Sequence, residues 1–169
     1  MKRRLFVIAG AIIPLALALI AANRSFLTQT DFAKIRAATA RFHRPEAARA
    51  AGYDLVPGLD SCFNNPGVGG MGFHYIDANA LDTQLDLLHP EAMVYAPGPN
   101  GTLELGAVEY IVPQDKWEAA GNTEPPKLKG MSLHLDEDDN LPVYVLHAWV
   151  WKNNPSGILE DWNPKVSCP

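Results

Sequence analysis

From Tyr53 onward the chain breaks into apolar runs of strand length, separated by turns and by no helix of useful length. This order most limits the fold, because parallel strands need long crossovers, usually helical, whereas antiparallel neighbours need only turns. Strands are expected near 72–77, 92–96, 103–112, 131–135 and 143–151. The turns read Pro57-Gly58, Asn65-Pro66-Gly67, Pro97-Gly98-Pro99-Asn100-Gly101, Gly121-Asn122 and Asn154-Pro155-Ser156-Gly157. Pro97 through Gly101 is expected to join two antiparallel strands.

The segment before Tyr53 has a different period. Thr28-Gln29-Thr30-Asp31 spells a helix start, and Phe32, Ile35, Thr39 and Phe42 recur at spacings of three and four. Pro45 ends that helix and opens a short Ala-rich one, which Gly52 stops. The expected fold is α+β: N-terminal helices packed on an antiparallel sheet, curled toward a half-barrel.

Residues 1–22 are set apart by composition. Lys2, Arg3 and Arg4 precede an apolar run from Leu5 to Ala22, the pattern of a secretory signal. The run is long enough to span a bilayer, so it is either a signal peptide cut after Ala22 or an uncleaved N-terminal membrane anchor. Residues 23–30 read as a flexible stem, and 31–169 as a single globular domain. Removing the three leader cations leaves 11 basic against 19 acidic residues, a net charge of −8. An acidic domain without a basic stripe argues against nucleic-acid binding. Cys62 and Cys168 both lie in the exported part, where an oxidising compartment favours pairing them in a disulfide.

Two spellings fail as motifs. Gly67-Val68-Gly69-Gly70-Met71-Gly72 fits G-x-G-x-x-G but precedes a strand rather than a helix, so no nucleotide is expected. It reads instead as a turn that lets the chain pass close to something. Asp136-Glu137-Asp138-Asp139-Asn140 opens like a calcium loop but has Leu141 and His147 where Gly and Glu belong, and reads as a solvated acidic turn.

The candidate chemistry lies in the strands. By strict alternation His147 shares a face with Val143, Val145, Trp149 and Trp151, and His74 with Gly72 and Ile76. Glu109 aligns with Leu103, Leu105, Ala107 and Ile111. A carboxylate in apolar company needs a cation, a donor or a proton. If these faces converge, His74, Glu109 and His147 can hold a divalent transition metal, with Glu91 or His89 completing the set. Tyr75, Tyr95, Tyr110 and Tyr144 either line that cavity or form plain core. The other reading is a metal-free binding or interaction module, with structural His–Glu pairing and a Trp-rich C-terminal surface.

The segments Ala51-Gly52-Tyr53, Met71-Gly72-Phe73-His74-Tyr75, Gly106-Ala107-Val108-Glu109-Tyr110 and Leu146-His147-Ala148-Trp149 through Cys168 resemble a family of small exported bacterial proteins of unassigned function. The resemblance implies an extracytoplasmic bacterial domain and no catalytic assignment. The combined expectation is an exported, soluble domain whose His/Glu pocket binds a metal and serves either a metal-dependent enzyme on a small molecule or metal binding alone.

Overall fold

The computed structural model describes residues 26–137 and 141–169. The expected leader, residues 23–25 of the stem and the centre of the acidic turn lie outside the described residues, and the last two residues of the stem, Gln29 and Thr30, belong to the first helix. Among those residues, no helix is long and apolar enough to cross a membrane.

Helix α1 (Gln29–Thr39) begins as its sequence dictates. Asp31 N–H donates to Thr28 Oγ1 at 3.2 Å, and Thr28 N–H donates to Asp31 Oδ2 at 2.9 Å, a reciprocal capping box. Its buried stripe is Phe32, Ile35 and Thr39, and a 3₁₀ turn adds Phe42. Pro45 then opens α2 (Pro45–Ala50), and Gly52, at φ +103°, follows its end.

Strands β1 (Phe63–Asn65), β2 (Gly69–Ile76), β3 (Ala92–Pro97), β4 (Leu103–Pro113), β7 (His134–Asp136) and β8 (Val143–Ala148) form one antiparallel sheet in the order β1-β2-β3-β4-β8-β7, curled as a half-barrel. Lys127–Leu128 (β5) and Met131–Ser132 (β6) form a separate two-stranded piece. The run expected as one strand at 131–135 is therefore split between two sheets. A short helix, α3 (Gln114–Ala119), follows β4 where none was expected. The strand expected to reach 151 stops at Ala148, because Trp149 N–H donates to Ile158 O and Val150 N–H turns back to Ala148 O.

The sheet has two covered faces. Met93, Tyr95, Val108, Tyr110 and Leu146 point toward the helices and pack with Phe32, Ile35, Phe42 and Ala48. Tyr95 ties the layers by donating its hydroxyl to Phe42 O at 2.6 Å. The opposite face carries Ala92, Val94, Ala107 and Ile111, covered by the 56–59 loop at one end and by Trp149 and Val166 at the other.

One bulge decides which residues share a face. Val94 pairs with Ala107 but Tyr95 pairs with Leu105, so Gly106 is an extra residue in β4. Strict alternation fails there, and Leu105 joins the helix-side core, with Leu103 packed against it. Both lie opposite to the face expected for them. Gly106 O, freed from the ladder, accepts N–H bonds from Trp151 at 3.1 Å and Lys152 at 2.9 Å. Trp151 consequently leaves the His147 face and donates Nε1–H to Thr39 Oγ1. Trp149 is buried on the other side, so these two rings enter opposite cores instead of sharing one surface.

The C-terminal tail closes the second face. Gly70 and Asn163 exchange two backbone hydrogen bonds, of 3.2 and 3.0 Å, and a Cβ on Gly69 would stand 2.4 Å from Asn163 O. The glycine-rich turn is thus where the returning tail crosses β2. Cys168 completes the fastening through its disulfide with Cys62. The link closes 106 residues of separation, for which the chain-entropy model gives about 4–5 kcal/mol. Replacing both cysteines by serine is expected to lower urea-unfolding stability by roughly that amount; a loss under ~1 kcal/mol would show that the tail contributes little to the cooperative fold.

Candidate metal centre

Cross-strand register assembles three polar side chains on the tail-covered face. Glu109 on β4 lies directly opposite His147 on β8 and Ala92 on β3. His74 on β2 pairs with Val94 on β3, so it reaches the same face one pair further along. Relative exposure is 3% for His74, 1% for His147 and 6% for Glu109, which leaves all three essentially dry.

The donor atoms converge. His74 Nε2 and His147 Nε2 are 3.2 Å apart. Glu109 places Oε2 3.5 Å from His74 Nε2 and Oε1 3.6 Å from His147 Nε2. These carboxylate separations exceed an ordinary N–H···O bond of about 2.7–3.2 Å. They match the spacing of ligands around a common ion, since bonds of ~2.1 Å in tetrahedral geometry put neighbouring ligand atoms about 3.4 Å apart. Two imidazoles and one carboxylate are a donor set for divalent transition metals, and the group can hold one.

A fourth side chain fixes the orientation of His147. Its Nδ1–H donates to Asp161 Oδ1 at 3.0 Å, which turns the Nε2 lone pair toward His74 and Glu109. The second Asp161 oxygen accepts from His134 Nε2–H at 3.0 Å. Burial works against the Asp161 charge, but hydrogen bonds from His134 and His147 outweigh it and hold the carboxyl well below its usual range. The Asp161 hydrogen bond raises His134 in turn. Among the described residues His74 Nδ1 has no hydrogen-bond partner, so its orientation rests on packing, including an edge contact with the Phe63 ring.

The buried groups favour different protonation states. Burial drives His74 down to about 3, with the His147 charge adding to the effect, so this imidazole is neutral. Burial opposes a charge on His147, but Glu109 and then the Asp161 hydrogen bond outweigh it and move it upward. Burial also raises Glu109, against the pull of His147. Glu109 and His147 therefore titrate as a coupled pair. A divalent cation at the convergence point would bind in competition with protons.

The other expected ligands lie elsewhere. Glu91 is one residue out of phase with Ala92, so its backbone starts it toward the opposite face. Its carboxylate instead accepts Ile111 N–H at 3.0 Å, two residues past the last β3–β4 pair. His89 is exposed and bonds Asp86 at 2.8 Å. Tyr75, Tyr95 and Tyr110 belong to the helix-side core, with Tyr144 packed against it. Asp161 and His134 are the site residues that sequence reasoning missed. The available signal was an acid in a tail whose terminal Cys168 returns it to the sheet.

A cleft of about 900 Å³ opens beside the trio, and His74 and Glu109 contribute to its wall. No family model, curated protein or solved structure matches this chain. The chemistry rests on the geometry.

Glu91 offers a test of the burial at this end of the sheet. Burial raises it to about 8, with the Ile111 N–H opposing. Between the unfolded carboxyl value near 4.5 and the folded value near 8, the native state holds a proton that the unfolded chain releases. The Glu91 contribution to stability must then fall as pH rises through that window. Urea unfolding at pH 5 and pH 8 should show this loss as the difference between the wild type and Glu91→Gln. Equal slopes would place the Glu91 carboxyl in solvent.

Proposed function

We propose that the chain is an exported domain that carries a divalent transition metal on His74, Glu109 and His147, with Asp161 orienting His147. The supporting observation is the stand-off of Glu109. A structural His–Glu pair would close to hydrogen-bond distance, whereas this carboxylate stops at 3.5 and 3.6 Å from two nitrogens aimed at the same point. The basic apolar leader and the Cys62–Cys168 disulfide support an extracytoplasmic compartment, in keeping with the family resemblance.

Three protein ligands leave coordination positions for water or a substrate oxygen, which suits a metal-dependent enzyme on a small molecule. A metal so held supplies Lewis acidity and lowers the pKa of a bound water. The protein's own part is to keep His74 neutral, to hold the His147 lone pair in place through Asp161, and to bury the three ligand side chains.

The test is metal content and affinity. Protein exported to a bacterial periplasm, stripped with chelator and titrated with Zn²⁺ or anaerobic Fe²⁺, should bind about one ion per chain. His74→Ala and Glu109→Gln should weaken binding at least ~100-fold, and Asp161→Asn about 10–100-fold, with circular dichroism unchanged. A stripped wild type that takes up no ion, or variants that bind like wild type, would leave the metal-free module as the reading.

A further inference from the structure

The cleft beside the trio has a chemical character of its own. Its apolar wall is the cluster of Ile76, Ile111 and Val145, with Val56, Leu59 and Val143 packed against it. Among the described residues, its lining carries the carboxyl side chains of Glu109, Asp115 and Asp136 and no lysine or arginine. Lys116, on the neighbouring helix α3, is not among the lining residues, and its ammonium donates to Leu81 O at 2.6 Å. A volume of about 900 Å³ lies at the upper end of the range for small-molecule sites, which are mostly apolar with a few placed polar groups.

We propose that this cleft binds a small, uncharged, largely aliphatic or aromatic molecule whose single polar head, a hydroxyl or carbonyl oxygen, lies against His74 and Glu109. Burial of the apolar body against the Ile76–Ile111–Val145 wall supplies the affinity. Among the described lining residues none is a cation, so an anion of the same shape would be desolvated with no counter-charge from that lining. The proposal rests on the metal reading only for what happens at the head group; the apolar wall exists with or without an ion.

The experiment uses chelator-treated protein, so ligand binding is read separately from metal binding. Dissociation constants for hexan-1-ol, heptan-1-ol and octan-1-ol are measured by ligand-observed NMR, with octanoate as the charged comparison. Affinity should rise about fourfold per methylene, and octanoate should bind at least ~10-fold more weakly than octan-1-ol. Val143→Phe, which fills the cleft from a partly buried strand position, should weaken octan-1-ol about 10-fold or more. Leu59→Trp, on the covering loop, should do the same should Val143→Phe fail to fold. No chain-length dependence, octanoate equal to octan-1-ol, or cleft-filling variants that bind like wild type would each overturn the proposal. A protein that binds the alkanols and no metal sinks the metal reading alone; one that binds metal and no alkanol sinks this proposal alone.

Discussion

The placing of the polar trio on the second face of the sheet depends on the return of the C-terminal tail. Helices α1 and α2 cover only one side of the strands, and the opposite side would expose Val94, Ala107 and the trio to water. The tail prevents this by three fastenings of different kinds: the paired backbone bonds of Gly70 with Asn163, the burial of Trp149 and Val166, and the disulfide at Cys168. The same return delivers Asp161 to His147. Covering the face and orienting the imidazole are thus one structural event. In water the Asp161–His147 contact would be a weak ion pair; beside a nearly fully buried imidazole it fixes a tautomer.

The sheet contributes register. A one-residue slip between β4 and β8 would send Glu109 and His147 to opposite faces, because strand side chains alternate. The apolar neighbours enforce the register: Ile111 and Val145 must enter the small cluster on one face, while Tyr110 and Leu146 enter the helix-side core. The energetically costly polar trio is therefore held by packing on both faces. Such a cost is sustained in a core only where the groups find partners. Within the trio, a shared proton or a cation can meet that demand.

Much of this was legible in the chain itself. Thr28 and Asp31 announced the capping box, the apolar runs announced the sheet, and His74, Glu109 and His147 stood out as polar residues in inward positions. What stayed illegible has specific physical causes. The bulge at Gly106 moved Leu103 and Leu105 to the other face, and no periodicity argument contains an extra residue. Trp151 left its expected face because Gly106 O, released by that bulge, captured its N–H. Glu91 was drawn to a backbone donor, Ile111 N–H, which only the end of a neighbouring strand leaves free. Asp161 and His134 meet through the folded tail across 27 residues of chain, a distance that no local pattern spans. The glycine-rich turn was read as a place where the chain passes close to something, and its partner, Asn163, could be seen only in three dimensions.

The central claim is that His74, Glu109 and His147 share one ion. Its most direct measurement is anomalous diffraction at the metal edge from crystals of zinc- or cobalt-loaded protein. The account predicts a single strong peak ~2.0–2.2 Å from both Nε2 atoms and a Glu109 oxygen, with Asp161 still bonded to His147 Nδ1. A peak at the exposed His89–Asp86 pair instead, or no peak among the three buried side chains, would contradict it.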